Sequence, residues 1–360
     1  MKNFFFVTIS LNNVAGGLEK NLVNICNYLS NHGYKINIIT FDLNNSTPFY
    51  KIDKKIDWYK LGLSEPHQKY SLINKIKLLI NLRKVFKKNQ NKTKVICFHH
   101  GILPRIILST IGLKHVEIIC SERNSLSIYK YVNKKKFNFG FLLLYFVKKI
   151  TVQFEEYKKN YPKIFKKKII TIHNIIDDIP FKQKGKNKVI LNIGRLSTQK
   201  NQTALIKIFE EIADQCEGWS LKIIGDGENE KIIKKTISNS KFKSRILLLK
   251  PNLQMEDVYN GASIFCLTSQ WEGFPNALAE ALSCGIPAIC FKNCDGANVL
   301  IKNKFNGFQV NNNKEFAEKL LFLIKNKSTL EEYSKNSKKI KDIYNKEKIM
   351  NNWIKLLDGK

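Results

Sequence analysis

The sequence predicts an α/β protein built as two parallel-sheet units in tandem. Three observations lead there. A chain of 360 residues exceeds what one hydrophobic core usually organises. Short apolar runs alternate with segments of helical period, and the alternation starts afresh near residue 188. Between the two series, residues 174–187 carry Asp177, Asp178, Pro180 and a polar Lys-rich run that breaks the pattern. The expected organisation is residues 1–178 as a first unit, 179–340 as a second, and 341–360 as a C-terminal helix that can pack back on the first.

In the first unit the apolar run 4–9 reads as a strand, 18–31 as a helix and 34–40 as a second strand. Helical period returns over 72–86, followed by strands at 95–98 and 116–120. The second unit repeats the scheme with a strand at 188–193, a helix at 202–214, and strands at 220–224, 246–249 and 262–268. Strands separated by helices require crossover connections, hence parallel sheets. A segment of helical character covers 330–357. Ligands in such sheets bind beyond the carboxyl ends of the strands, so the loops there hold the candidate chemistry.

The formal net charge is +31, with only five Arg among 61 basic residues. Three sources compete: nucleic acid binding, an anionic membrane surface, and the Lys-rich drift of AT-rich coding. No aromatic RNA-binding motif or zinc-finger spacing supports nucleic acid, so none is expected as a partner. A Lys-covered surface is drawn to anionic lipid whatever its origin. The longest apolar block, 139–147, is far shorter than the ~20 residues a bilayer span requires. With its basic flanks at 130–136 and 148–149 it reads equally as an interfacial helix or a buried one. The N-terminus reads as a first strand, not a secretory signal. Eight cysteines, at 26, 97, 120, 216, 266, 284, 290 and 294, lack metal-ligand pairing and read as reduced, buried thiols of a cytosolic protein.

The most informative stretch is Ser269-Gln270-Trp271-Glu272-Gly273-Phe274-Pro275-Asn276-Ala277-Leu278-Ala279-Glu280. A buried strand delivers Glu272 to a loop. Pro275 suits a first helical position, so the amides of Asn276, Ala277 and Leu278 open a helix where an anion is favoured. Glu280 follows inside that helix. Two carboxylates that accept hydroxyls thus flank a phosphate cradle, as a sugar nucleotide requires. Gly194-Arg195-Leu196-Ser197-Thr198-Gln199-Lys200-Asn201 leaves the first strand of the second unit, where Arg195 and Lys200 either neutralise a diphosphate or are solvated surface charge like the other basic residues. In a chain that uses Lys almost everywhere, an Arg at this strand exit stands out. Gly16-Gly17 opens the first helix and suits either close phosphate approach or a tight turn. Gly225-Asp226-Gly227 lacks the third glycine of a dinucleotide fingerprint. His99-His100-Gly101 and Ser121-Glu122-Arg123-Asn124 end strands of the first unit, where His100, Glu122, Arg123 and Asn124 serve either an acceptor or the structure itself.

Taken together, Gly16-Gly17, Gly194-Arg195 with Lys200, Gly225-Asp226-Gly227 and Glu272-x7-Glu280 resemble the family-four retaining glycosyltransferases. The resemblance follows the order of elements along essentially the whole chain and is most specific over 188–310. It implies the GT-B fold, two Rossmann-like parallel-sheet domains facing a central cleft. It also implies roles: Arg195 and Lys200 on the donor diphosphate, Glu272 on hydroxyls of the donor sugar, and Glu280 on the nucleotide ribose. The amides of Asn276, Ala277 and Leu278 serve the phosphates, and Gly16-Gly17 close over them. The implied donor is a UDP-sugar, and the implied acceptor a lipid-linked saccharide or surface polysaccharide, as for transferases of N-acetylgalactosamine. The expected location is the cytoplasmic face of the cell membrane, held peripherally. The family needs no metal or cofactor, in keeping with the lack of an Asp-x-Asp sequence in a suitable loop.

The sequence departs from this pattern twice. Glu122 stands where relatives commonly place a His, which turns attention from His99 and His100 towards Glu122 on the acceptor side. Lys250-Pro251 stands where relatives often have Gly, beside the expected base pocket. Two other readings use the same residues: a sugar-nucleotide epimerase on this architecture, or a non-catalytic basic protein that binds membrane or nucleic acid.

Overall fold

The computed structural model describes residues 3–63, 71–89, 91–98, 100–123, 140–180, 187–251 and 254–359. The chain divides into two compact units, Met1–Ile175 with Glu347–Lys360, and Ile176–Lys346.

The first unit contains β1 (Asn3–Val7), α1 (Gly17–Asn31), β2 (Lys35–Thr40), β3 (Asp57–Lys60), α2 (Leu72–Lys88) and β4 (Thr93–Cys97). It continues through α3 (Leu103–Thr110), β5 (Val116–Ser121), α4 (Gly140–Leu143), β6 (Lys149–Val152) and β7 (Ile169–Thr171). The seven strands lie in the order β3-β2-β1-β4-β5-β6-β7, and every pairing is parallel. The run Asn3-Phe4-Phe5-Phe6-Val7 is buried throughout because the sheet is covered on both sides. Phe5 meets Phe86 of α2 edge-on at 5.8 Å. Phe6, pointing the other way, packs 5.9 Å from Trp353. Trp353 belongs to the C-terminal helix, Lys346–Asp358, and also stacks 6.3 Å from Phe98.

The second unit runs β8 (Val189–Ile193), α5 (Gln202–Ile212), β9 (Ser220–Ile224), α6 (Glu230–Ser238), β10 (Ile246–Leu249), α7 (Met255–Asn260) and β11 (Ile264–Leu267). Then come α8 (Asn276–Ser283), β12 (Ala288–Phe291), α9 (Asp295–Leu300), β13 (Gly307–Val310), α10 (Asn313–Lys325), α11 (Lys327–Ser337) and α12 (Ile340–Ile343), before α13, the C-terminal helix already given. Its six strands are also all parallel, in the order β10-β9-β8-β11-β12-β13. The core is aliphatic and aromatic, centred on Leu205, Phe209, Ile223, Phe316 and Leu320. The strand order reverses between β8 and β11. A crevice therefore opens beyond their carboxyl ends, where the loops on either side diverge.

One expectation needs correction and another gains detail. The segment expected to be helical over 330–357 is so, divided into three helices, α11, α12 and α13. Its first break follows Asn336-Ser337, where the Ser337 hydroxyl bonds back to Tyr333 O and the backbone turns through Lys339 N to Asn336 O. Pro275 is the N-cap of α8 rather than its first helical residue. Its carbonyl accepts the first intrahelical bond, from Ala279 N at 3.0 Å. The block 139–147 is described from residue 140 onward, as α4 and a following single turn. Its basic N-terminal flank lies outside the described residues.

Candidate active site

The loop after β8 and the loop after β11 meet at the strand-order reversal. They are stitched together by bonds that ignore sequence distance. Gln270 N donates to Gln199 O at 2.8 Å, Gln199 Nε2 to Trp271 O at 2.7 Å, and the Thr268 hydroxyl faces both Lys200 O and Asn201 O at 3.0 Å. Asn201 turns the chain into α5 with φ +53°, a left-handed conformation that Asn tolerates.

On this frame Lys200 and Glu272 form an ion pair, Nζ to Oε1 at 2.5 Å. Glu272 is only 6 % exposed. The pair holds the carboxylate in place, and its low exposure strengthens the attraction relative to a surface pair. Glu280 is equally buried, and its Oε2 accepts the hydroxyl of Tyr259 at 2.7 Å. Tyr259 lies in α7 and is fully buried; burial first, and the Glu280 carboxylate second, push its phenol well above the ordinary value. It therefore remains a donor to Glu280. Asn276, Ala277 and Leu278 form the first turn of α8, ahead of the point where the helical bonds begin.

Arg195 is exposed, whereas the other arginines are committed elsewhere. Arg83, Arg105 and Arg245 donate to backbone carbonyls, and Arg123 is buried. Among the described residues no hydrogen bond forms to the Arg195 guanidinium. The stem of Arg195 passes over Gly227, where a Cβ would lie 3.1 Å from Arg195 Cγ.

Gly225 and Gly227 let the loops after β8 and β9 lie backbone against backbone. A Cβ on Gly225 would collide with Gly194 O, and Leu196 N donates to Asp226 O at 2.6 Å. Gly227 adopts φ +146°, a region that glycine alone adopts readily. The Gly-Asp-Gly sequence thus acts by removing side chains next to Arg195. Sequence reasoning missed Tyr259 and also Gly296. A Cβ on Gly296 would come 2.9 Å from Glu272 O and closer still to Gly273 O, so α9 presses directly on the Glu272 backbone.

In the first unit Gly16 is the N-cap of α1. A Cβ there would collide with the Glu19 carboxylate, which lies over the helix start. Glu122 and Arg123 follow β5 and are both buried. Arg123 Nε donates to Ser121 Oγ at 3.0 Å and Nη1 to Asn174 Oδ1 at 2.9 Å. Its guanidinium lies 4.5 Å from the Phe98 ring centre. Burial lowers the Arg123 pKa to about 9, with Glu122 opposing the fall, so it stays charged at neutral pH. Nη2 has no hydrogen-bond partner among the described residues. His100 begins a single turn after β4. His99 and Asn124 lie outside the described residues.

The sequence pattern of the family Glycosyl transferases group 1 matches residues 175–340. Those residues are a glycosyl transferases group 1 domain. The matched span contains Arg195, Lys200, Glu272, Glu280 and all of β8 to β13. An "Uncharacterized glycosyltransferase" of Haemophilus influenzae is 29% identical over 99% of this chain and 100% of its own length. A Campylobacter jejuni relative is 26% identical over 99% of this chain and 98% of its own. It is named GalNAc-alpha-(1->4)-GalNAc-alpha-(1->3)-diNAcBac-PP-undecaprenol alpha-1,4-N-acetyl-D-galactosaminyltransferase. Among solved structures, Anabaena HepE in complex with UDP and glucose superposes with a TM-score of 0.77, covering 99% of each chain at 15% identity. The group 1 domain and the unit preceding it thus have the GT-B architecture of parallel-sheet pairs, and the relatives are glycosyltransferases.

Proposed function

We propose that this chain is a retaining glycosyltransferase that moves a hexose or hexosamine from a UDP-sugar to a lipid-linked saccharide or surface polysaccharide. The observation that carries the reading is the pairing of two buried, individually anchored carboxylates, Glu272 on Lys200 and Glu280 on Tyr259, around the first turn of α8. Anchored carboxylates accept sugar and ribose hydroxyls without first being reorganised. Arg195, exposed and unengaged, supplies charge for the departing diphosphate, and Lys200 reinforces it when the donor displaces part of its contact with Glu272. The names of the relatives, and UDP in the HepE complex, support the donor and acceptor classes.

In the proposed reaction the bond from the anomeric carbon to the diphosphate oxygen breaks. A bond to the acceptor oxygen forms on the same face, and the acceptor proton passes to the leaving phosphate oxygen. The protein contributes orientation and charge stabilisation. Glu122 and Arg123 are assigned to the acceptor side, and Gly16-Gly17 to the donor phosphates. Among the described residues no helix is long and apolar enough to cross a membrane. With a net charge of +31, the reading is of peripheral attachment at the cytoplasmic face.

UDP release from a panel of UDP-sugars, with and without membrane extract carrying lipid-linked acceptors, tests this. Acceptor-dependent release with one sugar is expected, and Arg195→Ala should lower turnover at least ~10²-fold. Near-normal turnover of that variant overturns its role. Conversion of the sugar nucleotide without an acceptor points to an epimerase.

A further inference from the structure

Helix α2 is apolar on two sides. Leu78, Leu82 and Phe86 are buried against the first unit. Leu72, Ile73, Ile76 and Ile80 point away from it and are 73, 65, 50 and 48% exposed. At 100° per residue these four fall within about 100° of the helix circumference, one continuous stripe. Exposed aliphatic side chains scattered singly need no explanation, but four large ones in register on one helix do. The stripe extends beyond α2. Arg83 donates to Ser109 O and Ile111 O at 3.2 and 2.8 Å, tying α2 to the end of α3, where Ile111 is also exposed.

The charge along the helix that carries the stripe has one sign. Helix α2 contains no Asp or Glu, and neither does any position from 66 to 116. Lys77, Lys84 and Lys88 line one margin of the stripe, and Arg83 and Lys87 continue its line over the second half of the helix. Aliphatic residues bordered by cations match the boundary between acyl chains and acidic headgroups. A second copy of the chain is disfavoured, because pairing the stripes would bring the same cations together. Nucleic acid has no use for an aliphatic stripe.

We infer that the outer face of α2 is the surface by which this protein docks on an anionic lipid bilayer, with Leu72, Ile73, Ile76 and Ile80 entering the interface and the flanking cations engaging headgroups. The inference deepens the peripheral placement proposed above and rests on that placement, independently of the sugar chemistry.

Sedimentation of the full-length protein with phosphatidylcholine vesicles, with or without phosphatidylglycerol, tests it. Binding is expected only with the anionic lipid. Ile76→Glu with Ile80→Glu should weaken it at least ~10-fold, and Lys84→Gln or Lys87→Gln about fivefold each. All four positions are exposed, so thermal stability should be unchanged. Insertion is read separately by placing an environment-sensitive thiol dye on Ile76→Cys. The eight native thiols are buried, so the dye reports that position alone, and its emission should shift to the blue on anionic vesicles.

Unchanged binding by the Ile variants, an unshifted dye, or a dimer that the Ile variants abolish each overturns the docking face. Thermal stabilisation by UDP, measured without vesicles, reports on the donor site alone. Its absence would count against the glycosyltransferase reading while leaving the docking result to stand or fall by itself.

Discussion

Glu280 depends on a phenol 21 residues upstream. Replacing Tyr259 with Phe keeps the ring and removes the donor, so the carboxylate loses its aim while the packing survives. If Glu280 holds the ribose, UDP affinity should fall about fivefold, with a matching rise in donor KM and little change in kcat. Calorimetric titration with UDP checks this, and unchanged affinity would remove Tyr259 from the site. The raised phenol pKa favours the protonated form in the fold. Its contribution to stability is therefore present at all pH below the ordinary value of 10.0 and is lost only as pH rises through the folded value. Lys200 and Glu272 were legible in the sequence as charged groups at strand exits, and Arg195 as a rare Arg among lysines. Their arrangement was not legible, because the Lys200 to Glu272 contact spans 72 residues. Tyr259 gave no signal beyond a tyrosine in a short helix. A buried phenol needs a partner, but burial is a product of the fold.

The strands that the sequence made plain are long apolar runs, such as β1 and β8. Those it did not are three or four residues long, including β3, β6, β7, β12 and β13. Asp57-Trp58-Tyr59-Lys60 is a half-exposed edge strand with no apolar run to announce it, and β7 has only three residues. Such strands take their identity from the neighbours they pair with. The C-terminal helix shows the same dependence on context. Trp353 is fully buried against Phe6 and Phe98. Trp353→Ala should destabilise the first unit by about 3–5 kcal/mol through lost burial and a residual cavity. A fall in the denaturant midpoint of that unit checks this. The Arg123 guanidinium, 5.3 Å from the Trp353 ring centre, would lose one of its two aromatic neighbours in the same variant. A measurable loss of acceptor-dependent turnover, with UDP affinity intact, would connect this packing to Arg123.

All eight cysteines are buried. Burial raises Cys284 to about 11 and Cys290 to about 12, and thiols so poorly ionised react slowly. A colorimetric thiol reagent should therefore find essentially none in the native protein and all eight after denaturation; rapid reaction of the native form would contradict the packing of both sheets. The repeated α/β order was visible in the alternating pattern, and from the same pattern came the expectation of a boundary at 178 and of a C-terminal helix over 341–360 that packs back on the first unit. The first unit is encoded in two pieces, residues 1–175 and 347–360, with the second unit between them. Protein synthesis delivers one piece before the second unit and the other after it. A nascent chain can pair β1 to β7 early, but Phe6 and Phe98 wait for Trp353 until the second unit has been made. Throughout translation of the second unit this aromatic seam stays uncovered. A chain that stops short of Trp353 therefore has an intact second sheet and a sticky, incomplete first unit, a defect that chaperones and proteases can recognise.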